Sequence, residues 1–301
     1  MIHCGVDLGG TKTEIIVLDE RGAEVYRKRE STPQGDYQQT VELMATMVDD
    51  AEARLGEKGT VGIGVPGSLS PQTGLMRNAN STCLNGHPLQ QDIEQRLQRS
   101  VAISNDANCF ALSEATDGAG AEAGSVFGVI IGTGTGAGLV VGGQVLGGCN
   151  GVAGEWGHNP LPWALPEEYP GPKCWCGQRG CIETWLSGPG FAREFTQSSG
   201  LAWSAQEIAA AAEAGDVAAL GALGRYESRL ARGLAHIINI FDPEVIVLGG
   251  GMSNIQRLYT RVPDLWASHV FSDCVRTRLA APVFGDASGV RGAAWLGACR
   301  T

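Results

Sequence analysis

Residues 3–30, HCGVDLGGTKTEIIVLDERGAEVYRKRE, read as strand, glycine/threonine turn, strand, charged turn and strand. Residues 125–148, SVFGVIIGTGTGAGLVVGGQVLGG, repeat that reading. Setting Val6 against Val129 places Gly9-Gly10-Thr11 beside Gly132-Thr133-Gly134, and Ile15-Ile16-Val17 beside Gly138-Leu139-Val140. Two related hairpins this far apart point to a duplicated α/β architecture with one sheet-based domain per copy. Glycine-rich hairpins also recur by chance, so the duplication is an expectation for the structure to decide.

Between and after the hairpins the pattern switches period. Val41, Met44, Val48, Ala51 and Leu55 fall at helical spacing over residues 37–55. TVGIGVPGSLS is a buried strand ending in a turn, and VAISNDANCFALSEA is a strand running into a helix that Asn105 or Asp106 can cap. Tyr226, Leu230, Leu234, Ile237, Ile238 and Phe241 make one apolar helical face, stopped by Asp242-Pro243. EVIVLGGG follows as a buried strand, and a helix from about Ser288 is apolar enough to pack back onto the first domain. The expected domains are residues 1–117 plus 288–301, and residues 118–287.

The chain has 301 residues, 43% hydrophobic and 18% charged, an ordinary balance for a soluble globular protein of two domains. A formal charge of −10 argues against a nucleic-acid or anionic-membrane surface, which needs basic patches. No apolar run approaches the roughly 18 residues of a membrane span, and the N-terminus lacks the pattern of a signal peptide. Nine cysteines, an odd number and mostly scattered, do not suit a disulfide framework. The expectation is a reduced, cytoplasmic protein. Nothing in the sequence speaks for or against a homodimer.

Three strand ends carry glycine turns: DLGGTKT, GTGTGAG and LGGGMS. Such turns let backbone N–H groups approach a phosphate. The dinucleotide fingerprint fails on context, because LVVGG, another strand, follows GTGTGAG where a helix is required; a Walker A loop is absent. Asp7, just before the first turn, is either an ordinary turn acid or a carboxylate placed to hold Mg²⁺ through water.

CWCGQRGC, residues 174–181, packs Cys174, Cys176 and Cys181 into a C-x-C-x4-C spacing. Three thiolates leave a tetrahedral zinc site one ligand short, and His158 in EWGHNP is the nearest candidate. Free thiols in a turn and a redox pair are the other readings, although the C-x-x-C of a redox pair is missing. Structural zinc in small peptides contributes roughly 10–16 kcal/mol against roughly 2–4 for a disulfide, so in a reducing cell a metal is the better anchor for the long proline-rich loop between His158 and Cys174. Four protein ligands leave no open position, so that zinc would be structural.

DLGGTKTE, GTGTGAG, GEWGHNPL, CWCGQRGCIET and LGGGMS occur in the order found in the ROK family of sugar kinases. The whole chain resembles that family, most nearly its bacterial fructokinases of the manno(fructo)kinase type. The resemblance implies a two-domain actin-like, ribonuclease H-like ATPase fold of the α/β class, with ATP and sugar in an interdomain cleft. It implies Mg²⁺-dependent phosphorylation of a hexose, fructose to fructose 6-phosphate, with glucokinase and N-acetylhexosamine kinase as alternatives within the family. By resemblance, Gly9, Gly10, Thr11, Lys12 and Thr13 form the first phosphate turn and Gly132, Thr133 and Gly134 the second, while Gly249 and Gly250 meet the nucleoside. Asn105, Asp106, Glu155, His158 and Glu183 would contact the sugar, with Asp106 as catalytic base; His158, Cys174, Cys176 and Cys181 would hold zinc. The family also contains sugar-responsive regulators, which carry a DNA-binding segment before the first turn; a non-catalytic regulator is the remote alternative.

These residue types suit that chemistry. A sugar needs fixed acceptors and donors, since an unpaired buried partner costs roughly 1–3 kcal/mol. Glu155 and Glu183 flank the zinc ligands in sequence, although each could be an ordinary solvated acid. His158 has two ring nitrogens, one for metal and one for a hydroxyl. Asp106, at a helix start, is expected to be ionised by the helix dipole, or to serve as an N-cap, or both.

Overall fold

A computed structural model describes residues 1–299. The first strands are β1 (His3–Leu8), β2 (Lys12–Leu18) and β3 (Glu24–Ser31), followed by α1 (Tyr37–Leu55), β4 (Thr60–Val65), short strands β5 (Ser68–Leu69) and β6 (Met76–Arg77), α2 (Leu89–Leu97), β7 (Ala102–Asn105) and α3 (Asp106–Thr116). The second series is β8 (Ser125–Ile131), β9 (Thr135–Val141) and β10 (Gln144–Val145). Then come α4 (Ile182–Leu186), α5 (Gly188–Ser199), α6 (Ala205–Glu213), α7 (Val217–Phe241), β11 (Val245–Gly249), α8 (Leu258–Trp266), β12 (Arg278–Ala280) and α9 (Ser288–Ala298). No helix among the described residues is long and apolar enough to cross a membrane.

The two large sheets have the same plan. One runs β3–β2–β1–β4–β7 and the other β10–β9–β8–β11–β12. In each, three successive strands form a meander, a later strand pairs in parallel with its first strand, and one more pairs in parallel with that addition. The repeat seen in the hairpins thus extends to the whole sheet.

By contact the chain divides into two compact units. The first comprises Met1–Glu122, Gly138–Ala153 and the chain from Val283 onward; the second comprises Ala123–Ala137 and Gly154–Pro282. The expected boundaries at 117 and 288 lie within a few residues of two of these, and residues 300 and 301 of the expected first domain lie outside the described residues. Residues 138–153 were expected in the second domain but group with the first. Gly138 lies against the backbone of Ala107 and Asn108 in α3, where a Cβ would come within 2.5 Å of the Ala107 carbonyl. Arg77 holds the following loop by donating to the Asn150 carbonyl at 2.7 Å.

In the first unit both faces of the sheet are covered, which explains why its strands read as continuous apolar runs. Val6, Leu8, Ile15 and Val17 pack with Val41, Met44 and Val48 of α1 and Ile93 of α2. On the opposite face Ile16 and Leu18 meet Val290 and Ala294 of α9. Each such buried aliphatic contributes about 1.5–3 kcal/mol. The α9 face of β1 and β4 carries Gly5 and Gly62, and a Cβ on either would run into α9 main chain. The final helix therefore does pack on the first domain, at backbone distance.

Candidate active site and metal cluster

In the first unit, the β1–β2 turn is tied down by hydroxyls. Gly9 N–H donates to the Lys12 carbonyl at 3.0 Å. Thr32 donates to the Gly9 carbonyl at 2.8 Å, and its oxygen lies 2.9 Å from that of Thr13. Thr13 is fully buried, so it braces the turn and is not a free phosphate donor as expected. Gly10, Thr11 and Lys12 are exposed. Gly10 and Thr11 border a cavity of about 300 Å³ that Gln34, Asn80 and Thr82 also line.

Asn105 and Asp106 sit at the β7–α3 junction. Asn105 caps the helix: its side-chain oxygen accepts the Asn108 N–H at 2.8 Å, leaving its amide N–H groups free to donate. Asp106 Oδ1 accepts the Ala107 N–H at 2.8 Å, which fixes the side chain and leaves Oδ2 open. The helix dipole is not the largest influence on Asp106. Asp106 keeps solvent-accessible surface yet sits where desolvation is the largest influence, and its pKa is raised despite the opposing backbone bonds.

Asp7, on β1, is half-buried. Burial first, and then the charge of Asp106, push its pKa up to about 7. Among the described residues no hydrogen-bond donor meets its carboxylate. An acid held this way fits a cation, because a Mg²⁺ ion bound through water would restore the ionised form. Without that ion Asp7 destabilises the fold as it ionises. The folded state retains a proton that the unfolded chain releases near pH 4, so stability falls as pH rises to about 7 and stays lost above it. In protein stripped of divalent ions and nucleotide, Asp7→Asn is expected to raise Tm above pH 7 and leave it unchanged near pH 4. A gain equal at both pH values would assign the effect to packing instead of charge.

In the second unit, the β8–β9 turn exposes Thr133 and Gly134. Its first carbonyl, on Gly132, accepts the Gly188 N–H at the start of α5 at 2.9 Å. Beside it lies a cavity of about 390 Å³ lined by Gly132, Thr133, Pro189, Gln206, Gly251 and Met252. Gly249 is buried at the end of β11. Gly250 turns the chain at φ +77°, where a Cβ would lie 2.6 Å from the Ile131 carbonyl. The residues that face the cavity are thus Gly251 and Met252, one or two places beyond those expected. Pro189 and Gln206 were not foreseen, because no short motif marks them.

The cysteine cluster forms as the spacing predicts. Ligand atoms of His158, Cys174, Cys176 and Cys181 all lie within 4.8 Å of one another. Cys174 Sγ is 3.6 Å from His158 Nδ1, and Cys176 Sγ is 3.6 Å from Cys181 Sγ. Two thiolates each about 2.3 Å from a tetrahedral centre would stand about 3.7 Å apart, so the arrangement fits a metal, and three thiolates with one imidazole suit zinc. With Nδ1 turned to the cluster, Nε2 of His158 is left for another partner. All nine cysteines are unpaired. Gly177 and Gly180, at φ +92° and +68°, make the tight wrap that side chains would oppose.

The long loop has a second anchor that sequence reading missed. Glu168 is buried and accepts from Arg229 Nε and Arg232 Nη1, each at 2.8 Å. Arg232 also donates to the Trp163 carbonyl at 2.7 Å. Both arginines lie on α7, outside the apolar face read from its sequence.

The flanking acids differ. Glu155 begins a 3-10 turn (Glu155–His158) and is exposed. Glu183, expected as a sugar contact, is engaged on both oxygens: Oε2 accepts the Thr135 N–H at 3.0 Å and Oε1 the Trp175 indole N–H at 2.8 Å.

The sequence profile of the ROK family matches residues 3–299. The chain is 41% identical over 299 residues to an N-acetyl-D-glucosamine kinase of Pectobacterium atrosepticum, covering 98% of each chain. Another N-acetyl-D-glucosamine kinase, from Vibrio cholerae, is 40% identical, with 98% of this chain and 99% of that one covered. A ROK hexokinase from Thermus thermophilus superimposes with a TM-score of 0.88 at 30% identity, covering 100% of this chain and 99% of that one. A ROK family glucokinase from Streptomyces griseus, solved with glucose and AMPPNP, gives 0.76 at 28% identity, covering 98% and 99%. The fold is the two-domain actin-like α/β ATPase fold. The fructokinase type drawn from the motifs is not what these relatives carry, because motifs for phosphate and metal are shared across sugar specificities.

Proposed function

Since the chain belongs to the ROK family and is a sugar kinase, we propose that it phosphorylates N-acetyl-D-glucosamine, passing the γ-phosphoryl group of ATP to the sugar's primary hydroxyl. The observation that supports this sugar over fructose is the 41% identity to an N-acetyl-D-glucosamine kinase across 98% of both chains. Glucose is a second reading, favoured by the likeness to a ROK family glucokinase solved with glucose, at 28% identity.

Phosphoryl transfer asks mainly for positioning and charge stabilisation. In the first unit Asp106 aligns the hydroxyl and takes its proton on Oδ2 as the bond to phosphorus forms, while Oδ1 stays on the Ala107 N–H. Asn105 keeps its amide N–H groups for a second hydroxyl. Asp7 would hold Mg²⁺ through water, and the ion would supply charge neutralisation on the phosphate oxygens. Gly10, Thr11 and Lys12 offer exposed N–H and ammonium groups to phosphate. In the second unit Thr133 and Gly134 do the same, and the nucleoside enters the cavity beside Gln206 and Met252. Glu155 and His158 Nε2 supply further sugar contacts, and His158, Cys174, Cys176 and Cys181 would hold a zinc ion that would fix their segment.

A coupled ADP-release assay over N-acetylglucosamine, N-acetylmannosamine, fructose, mannose and glucose tests this reading. The expected ranking places N-acetylglucosamine at least tenfold above fructose in kcat/KM, a gap of about 1.4 kcal/mol in transition-state binding. A ranking led by fructose would overturn it.

A further inference from the structure

We propose that Glu183 is a positioning residue for the second phosphate turn, held by Trp175, so that the cysteine loop sets nucleotide affinity through it. The inference rests on the reading that the turn at Gly132–Gly134 carries phosphate. One short segment grips that turn at both ends. Cys181 is a metal-cluster residue, and α4 starts directly after it. Glu183, two residues on, takes the Thr135 N–H at 3.0 Å. Gly188, at the start of α5, donates to the Gly132 carbonyl at 2.9 Å. The Glu183 carboxylate also lies against Gly134, where a Cβ would come within 2.8 Å of Oε2.

The other oxygen completes the link. Trp175 stands between Cys174 and Cys176, and its indole N–H donates to Glu183 Oε1 at 2.8 Å. Its ring meets His158 edge-on at 4.9 Å between centroids. The side chain is 72% exposed, so the core gains little from it, and its clearest polar partner is Glu183. A carboxyl group that accepts a hydrogen bond on each oxygen is held against rotation, which fixes the Thr135 N–H and the turn ahead of it.

Two variants test the link, with calorimetric binding of a non-hydrolysable ATP analogue and of sugar measured separately. Trp175→Phe keeps the ring edge and removes only the N–H from an exposed position. It is expected to weaken analogue binding about three- to tenfold and raise KM for ATP alike, with sugar affinity within about twofold. Glu183→Gln is expected to weaken analogue binding on the order of tenfold or more, and the double variant to fall short of the product of the two. Unchanged analogue binding in both variants, or loss of sugar affinity alone in Trp175→Phe, would overturn the proposal. Wild-type protein that binds no nucleotide would overturn the kinase reading beneath it.

Discussion

Asp106→Asn is expected to lower kcat by about 10²- to 10⁴-fold while leaving sugar and ATP affinities near those of the wild type. That loss corresponds to about 3–5 kcal/mol of transition-state stabilisation. The asparagine oxygen can still accept the Ala107 N–H, which Asp106 Oδ1 does at 2.8 Å, so the helix start and the rotamer persist. What disappears is the proton acceptor. The raised pKa of Asp106 bears on the size of the effect, since a carboxylate pushed up by desolvation is a better base than one held down by a helix dipole. The pH profile gives an independent reading. Asp7 titrates near 7 first because it is buried and then because Asp106 is charged beside it. In the variant that repulsion is gone, and any remaining acid limb should move to lower pH. Near-normal turnover would remove Asp106 from the role; a kcat loss matched by an equal loss of sugar affinity would make it a binding residue only.

The sheets were legible because both faces are covered: a strand such as β11 that is buried throughout reads as an unbroken apolar run. Helix limits were legible where a cap or stop is local. Asn105 begins α3 and Asp242, at φ +50°, ends α7. The His/Cys cluster was legible for the same reason, as three of its four residues lie within eight positions and two glycines enforce the wrap. What depends on distant partners was not. Nothing near Glu168 announces Arg229 and Arg232, more than sixty positions away. Glu183 reads as a free acid until Thr135 is brought to it by the fold. The pKa directions of Asp7 and Asp106 escaped because sequence shows the dipole of a neighbouring helix but not the desolvation that outweighs it. Sugar choice escaped for a different reason. The motifs that identify the family serve phosphate and metal, and those needs are common to every hexose.

Cys176→Ala is expected to abolish metal binding, with zinc falling from one ion per chain to a trace by elemental analysis, and to lower Tm at the same time. Cys176 is the informative ligand because it is only half-buried, whereas Cys181 is fully buried and its loss would open a cavity as well. Peptide-scale zinc binding, roughly 10–16 kcal/mol, is an upper bound here. The loop keeps other holds: Leu161 N–H donates to the Gly180 carbonyl and Ile182 N–H to that of Asn159, each at 2.9 Å. Glu168 also remains paired with Arg229 and Arg232. A loss of several kcal/mol concentrated in residues 172–181 is therefore expected, seen as early proteolysis there while the first unit stays folded. Sugar affinity should fall through His158 and Glu155, and nucleotide affinity through Trp175 and Glu183. Chelation of the wild-type protein should reproduce each effect, and added zinc should reverse them in the wild type but not in the variant. Wild-type protein that carries no metal, or a variant that keeps its Tm and both affinities, would reduce the cluster to four side chains that merely lie close together.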